Sequence, residues 1–332
     1  VDELHALPQQ ELGEQIQGST QHMRFYAFYP LSWARTDYCD FPYEGPSEIQ
    51  VVDLNTSFEV PFQLVDHLGK RSLRILARDI PSVWYKVFEI REGKPQALPD
   101  AAQVIDGDFE NDLYRLTLTP EGVITSWLDK INGNKEIISP VEGKYMNDLG
   151  SGGSGIGELT LHSTGPVSVT IKTEGKFPIA HSSFITLFRD IPRVEIHNEL
   201  RENFGDTHSW AFSHNLPGAT VWHEEVGAVI KAKTATEGGH YAERNGRFDW
   251  LTLNHFAAVQ AEDLGFTISN ADCSFMKTGN SELDFLDTEI QQIRLLVGGQ
   301  VDGRGLGIWD QDGDSLFIQR FAMGSHKEYS AT

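Results

Sequence analysis

Cysteine is almost missing from this chain: Cys39 and Cys273 are the two among 332 residues, and they lie far apart. With no CxxC pair, a disulfide framework and a zinc ribbon are both excluded, and two free buried thiols are expected. Long hydrophobic runs are also lacking. A membrane-crossing helix needs about 20 consecutive apolar residues, whereas the runs here last only a handful, so no membrane partner is expected. Positive charge is scarce, with 27 Lys and Arg against 48 Asp and Glu and a net charge of −21. Nucleic-acid binding depends on clustered cations that displace counterions, so nucleic acid is excluded as a partner. The same charge favours solubility and is compatible with a neutral sugar. Val1 follows neither an initiator Met nor a basic-then-apolar leader, and the end at Thr332 carries no stop-like feature. The chain is therefore expected to be part of a longer protein.

What is present is a globular composition, 39% hydrophobic and 11% aromatic. Residues 1–22 are polar and Gln-rich, and Pro8 is placed to start a short helix carrying Leu12 and Ile16. From Met23 the pattern becomes extended. Met23–Tyr29, Ile49–Leu54, Phe62–Val65, Ser72–Leu76 and Val83–Ile90 are short aromatic and β-branched runs separated by Gly and Pro turns. They predict a small β-sandwich over 23–105, with Arg91–Ala102 as a linker.

Beyond it, Tyr114–Leu118 and Val123–Leu128 flank Pro120-Glu121-Gly122 as a hairpin. Further strands are read over Val167–Ile171, Phe184–Phe188, Val194–Leu200, Val226–Ile230 and Trp250–Phe256. No helical period lasts more than a few turns. The fold class is thus all-β, with one large antiparallel sandwich over 106–332.

Each local chemical pattern fails on its spacing. Gly150-Ser151-Gly152-Gly153-Ser154-Gly155 fits G-x-G-x-x-G, but a strand follows over Glu158–Leu161 where a dinucleotide site needs a helix. A flexible loop, native or introduced, is the natural reading. The acids Asp310, Asp312 and Asp314, and likewise Asp106, Asp108, Glu110 and Asp112, alternate as in a calcium loop. Ser315 and Phe321, or Asn111 and Thr117, stand where that loop needs Gly and Glu. Solvated turns explain both. His223-Glu224-Glu225 begins like H-E-x-x-H, yet Gly227 replaces the second His. The pair could still move protons, against the plainer reading of a structural strand-end His. No G-x-S-x-G elbow exists. Trp210, Trp222, Trp250 and Trp309 lie near polar residues, and core packing is the default for each.

Several stretches, taken in order, resemble one family. Phe28-Tyr29-Pro30-Leu31-Ser32-Trp33-Ala34-Arg35 resembles the N-P-L-x-W-x-R strand of glycoside hydrolase family 38. Asp79-Ile80-Pro81-Ser82-Val83-Trp84-Tyr85 is similar to its D-I-P-x-x-G-Y turn, with Trp84 where Gly is usual. Glu110–Leu116 and Gly122–Ser126 resemble its E-N-x-x-Y hairpin. Gly265–Met276 is similar to a segment of bacterial-type members, and Asp302-Gly303-Arg304-Gly305-Leu306-Gly307 to its D-G-R-G-L-G.

The resemblance implies the non-catalytic C-terminal β-region of a retaining α-mannosidase, in which residues 1–22 are the tail of a helical connection. The domain over 106–332 would be a supersandwich of the galactose-mutarotase-like kind. The nucleophile and the zinc would belong to an N-terminal catalytic domain, this chain's expected partner, and no catalytic residue, metal or cofactor is expected here. Asp302 and Arg304 are the expected contacts to an α-mannoside, against a plain Asp–Arg pair fixing a Gly-rich turn. Leu295–Gly299 lacks the paired Arg of eukaryotic members, which weakens that role. A bacterial cytoplasmic location is expected. Two rivals belong to other classes: a sugar epimerase using His223 or His255 with a Glu, and a stand-alone carbohydrate-binding module built on exposed aromatics.

Overall fold

The computed structural model describes residues 2–67, 69–299 and 313–327, with backbone alone at 2–8 and 67. Among the described residues the chain is all-β apart from one helix and a 3₁₀ turn, and it divides into two compact units. One comprises Val1–Ala101 with Ser163–Val169, the other Ala102–His162 with Thr170–Thr332.

The first unit opens with helix α1, Asp2–Gln17. The helix begins before Pro8 instead of at it, so Pro8 sits inside, where it has no amide to donate to the preceding turn. No described helix is long and apolar enough to cross a membrane. Six strands follow: β1 (Met23–Tyr29), β2 (Arg35–Pro42), β3 (Ile49–Asp53), β4 (Phe62–His67), β5 (Lys70–Ile80) and β6 (Trp84–Glu92). They form two antiparallel sheets, β1-β6-β3 and β2-β5-β4. Strand β2 carries no clean apolar alternation, and the β-pattern alone does not reveal it.

Period-2 alternation puts Phe25, Ala27 and Tyr29 of β1 on one face, with Phe88 and Ile90 of β6 and Leu73, Ile75 and Ala77 of β5 in the same core. Phe25 stacks on Phe41 at 4.5 Å and lies 5.5 Å from Phe88, which joins the two sheets of a small sandwich. At the edge of this core the buried Lys86 Nζ donates to Asp53 Oδ2 at 3.0 Å.

Among the described residues the second unit is a large sandwich of a ten-stranded and a nine-stranded sheet. The ten-stranded sheet runs from Gln103–Ile105 at one edge to Leu251–Thr252 at the other. The nine-stranded sheet runs from Gly157–Ser163 to Ala228–Lys231, with Phe317–His326 between Val194–Leu200 and Gly265–Asn270. Trp127 of the first sheet meets Phe266 of the second at 5.2 Å, and Phe212 meets Phe321 at 5.1 Å. All four side chains are essentially inaccessible. Buried polar groups close the same seam: Trp210 Nε1 donates to Gln319 Oε1, and Asn198 Nδ2 to Asn147 Oδ1 at 2.8 Å.

Tyr114–Leu118 pairs with Ile124–Asp129 around the expected turn. Gly122 is required there. Its φ is +93°, and an added Cβ would lie 2.3 Å from Thr173 Oγ1. Further readings need correction: the strand read over Val226–Ile230 is Ala228–Lys231, with Val226 exposed in the turn before it. Trp250–Phe256 is not one strand, because Leu251–Thr252 and Phe256–Gln260 belong to different sheets. Trp222 and Trp250 are half-buried, whereas Trp210 is core as expected; Trp309 lies outside the described residues.

Both thiols are free. Burial, reinforced by nearby carboxylates, pushes Cys39 and Cys273 up to about 12. His214 is deeply buried, and neither ring nitrogen finds a partner among the described residues. Burial pushes it down from 6.5 to about 4. Acidification below 6.5 therefore protonates this ring in the unfolded chain before the folded one, and stability falls with pH between 6.5 and 4. Urea unfolding of wild type is expected to lose about 2 kcal/mol from this ring between pH 7 and pH 5. His214→Leu is expected to flatten that slope. An unchanged slope in the variant contradicts the assignment.

Candidate functional site

The His223-Glu224-Glu225 run ends the strand Thr220–Glu225, which pairs with Ala228–Lys231 and Phe256–Gln260. Alternation puts His223 and Glu225 on one face and Glu224 on the other. Accordingly, Glu224 Oε2 meets the exposed His255 at Nδ1, 3.0 Å away, and takes no part in the environment of His223.

His223 is fully buried. Its Nδ1 lies 2.9 Å from the Thr252 carbonyl and its Nε2 lies 3.1 Å from the Tyr241 hydroxyl. Tyr241 Oη also donates to Glu225 Oε1 at 2.7 Å. The two rings lie nearly parallel, and Phe248 packs edge-on against Tyr241. Burial holds His223 below the ordinary histidine range, against the opposing pull of Glu225 and the Thr252 carbonyl. Burial and the Glu225 carboxylate push the Tyr241 phenol far above its usual range, so it stays protonated.

Proton counting then limits what this chain of contacts can do. The Thr252 carbonyl only accepts, so a neutral His223 carries its proton on Nδ1 and leaves Nε2 bare. Tyr241 has one proton and two acceptors within reach, Nε2 and Glu225. All three bonds form together only when one further proton enters the chain. The arrangement can therefore pass a proton between a carboxylate and a buried ring through a phenol, which is acid–base capability. No sequence signal pointed to Tyr241, because it comes from an irregular segment and meets His223 only through folding. A cavity of about 320 Å³ in the first unit, lined by Glu59, Phe62, Leu64, Pro95 and Leu98 among others, contains none of these groups.

Several other sequence candidates are engaged internally. Asp148 Oδ1 accepts from the amides of Gly150 and Gly152 at 2.8 and 3.2 Å, and Asp148 Oδ2 from that of Tyr145. Glu121 Oε1 accepts from Gly155 N at 2.8 Å and from Ser154 Oγ. Burial works against the charge on Glu121, yet these bonds and its own amide hold it below the usual carboxylate range. The Gly/Ser run is thus pinned, not a free loop, and its amides serve a protein carboxylate where a nucleotide site would offer them to phosphate. Asp108 accepts from Thr117 Oγ1, and Glu110 pairs with Arg115 and Lys130. Asp302 and Arg304 lie outside the described residues, as do Asp310 and Asp312. Among the described residues no three His, Cys, Asp or Glu are grouped to hold a metal.

Tyr241→Phe keeps the ring packing and removes the hydroxyl that lies between Glu225 Oε1 and His223 Nε2. It is expected to cost about 1–2 kcal/mol in urea unfolding at pH 7. A change below about 0.3 kcal/mol, smaller than a typical hydrogen bond, contradicts the bonded arrangement.

No family model matches the sequence, and no curated protein matches it. Solved structures do resemble its fold. An alpha-mannosidase from Enterococcus faecalis V583 superposes with TM-score 0.64 at 11% identity, over 92% of this chain and 43% of that one. A glycosyl hydrolase family 38 protein from Enterococcus faecalis gives TM-score 0.65 at 12% identity, over 94% and 45%. This chain therefore spans less than half the length of either neighbour. A galactose mutarotase related enzyme from Lactobacillus acidophilus reaches only TM-score 0.38, too distant to bear on fold or function.

Proposed function

We propose that this chain is the β-region of an α-mannosidase-type glycoside hydrolase, and that the bond-breaking chemistry belongs to a catalytic domain outside it. One observation carries the reading: over nine-tenths of the chain follows the fold of an alpha-mannosidase, while more than half of that enzyme has no counterpart here. The ordered motif resemblances from Phe28 to Gly307 support it independently of the fold.

Within this reading the chain packs against its catalytic domain and completes the sugar site. Asp302 and Arg304 supply hydroxyl contacts, the guanidinium offering several donors in a fixed fork. Zinc, as in the family the motifs resemble, would be bound by the catalytic domain and would engage sugar hydroxyls there. A bacterial cytoplasmic setting belongs to the same proposal. An epimerase reading draws no support from His223, whose ring is fully buried between the Thr252 carbonyl and the Tyr241 hydroxyl.

Two measurements test the proposal. The 332-residue chain supplied with zinc is expected to leave an aryl α-mannoside at its background rate; zinc-dependent turnover by this chain alone would sink the reading. In the full-length protein, Arg304→Ala is expected to raise KM about 10- to 100-fold, the loss of a charged hydrogen bond, with kcat much less affected. An unchanged KM removes Arg304 from the sugar site.

A further inference from the structure

The first unit carries an exposed aromatic face that neither its core nor the proposed reaction explains. In a chain with 48 acids, residues 23–36 and 80–88 contain none. Two short turns there repeat one design, Pro30-Leu31-Ser32-Trp33 and Pro81-Ser82-Val83-Trp84. Each proline fixes its φ, and Val83 N donates to the Leu31 carbonyl at 2.9 Å, tying the turns together. The ends of β1 and β6 set them side by side, since Tyr29 pairs with Trp84 and the Trp33 ring meets Tyr29 edge-on.

Trp33 is 56% exposed and Trp84 57%, with Phe28, Leu31 and Val83 also open to solvent. Together these side chains expose roughly 500 Å² of largely apolar surface, at the upper end of what monomers show. Val83 has φ of +48°, a left-handed conformation that costs a β-branched residue on the order of 1–3 kcal/mol. The strain holds Trp84 outward, where its ring stacks on Tyr85 at 5.2 Å.

We infer that Trp33 and Trp84 form a platform for a neutral carbohydrate. The apolar C–H faces of sugar rings stack on exposed indoles, and the flanking hydroxyls of Ser32 and Ser82 offer hydrogen bonds without charge. The area falls short of the ~800 Å² per partner that a stable protein interface buries, which favours a small ligand. The two prolines and the bond between the turns order the site in advance, so little entropy is lost on binding. The platform does not require the mannosidase reading, but it requires that this face stay uncovered in the full-length protein.

The test uses α-linked mannobiose and tryptophan emission of the 332-residue chain. Saturable change in the millimolar range is expected, with Trp33→Ala and Trp84→Ala each weakening binding at least tenfold. Both indoles lie on the surface, so the variants are expected to keep the parent circular dichroism. Absence of saturable change at tens of millimolar overturns the inference, as does binding that survives the double variant. Acrylamide quenching of full-length protein distinguishes a rival: if Trp33 and Trp84 are shielded there, the face is covered by another domain and the inference fails. Dimerisation of the chain that either variant abolishes would equally overturn it.

Discussion

The structure depends on one constraint: two wide antiparallel sheets must bury their facing sides against each other. Trp127 against Phe266 and Phe212 against Phe321 fill that seam in the larger unit. Rings of this size stabilise the interior mainly by leaving water, each contributing a few kcal/mol, with edge-to-face contact adding less. A sheet pair this wide also encloses polar atoms, and some of these are matched in pairs. Gln319 meets the Trp210 indole and Asn147 meets Asn198, whereas the buried Trp127 Nε1 has no hydrogen-bond partner among the described residues. Strand direction, and hence the face each residue presents, is fixed by this packing.

The candidate chemistry follows from that face assignment. Alternation along Thr220–Glu225 sends His223 and Glu225 one way and Glu224 the other. Adjacent acids in sequence thus enter separate environments, one joined to a buried ring by a phenol and the other to a solvent-exposed His255. The same logic disarms the Gly/Ser run. Its open backbone amides are what an anion-binding loop provides, but Asp148 and Glu121 already fill them. In the smaller unit two proline-led turns present Trp33 and Trp84 more than half exposed, with the Trp33 ring edge-on against Tyr29 of the core.

Much of the fold was legible in sequence. Val194–Leu200 alternates strictly and is a strand to the residue, because one of its faces is wholly core. The hairpin around Gly122 was legible for a local reason, a turn that tolerates no side chain. Strand β2 was not, since its side chains are half-buried on both faces and leave no alternation to read. Trp250–Phe256 read as one strand because composition cannot show the chain leaving one sheet for another. The site was less legible still. His223 and Glu225 stood out as residue types, but Tyr241 joins them only through tertiary packing. Trp33 and Trp84 drew notice for family likeness, whereas their exposure is a property of the folded surface.

The central claim is that this fold is one part of a larger glycoside hydrolase. Intact-mass measurement of the native polypeptide that contains residues 1–332 tests it most directly. The neighbouring structures are matched over 43% and 45% of their length, so a mass roughly double 37.2 kDa is predicted. A native polypeptide of about 37.2 kDa would contradict it.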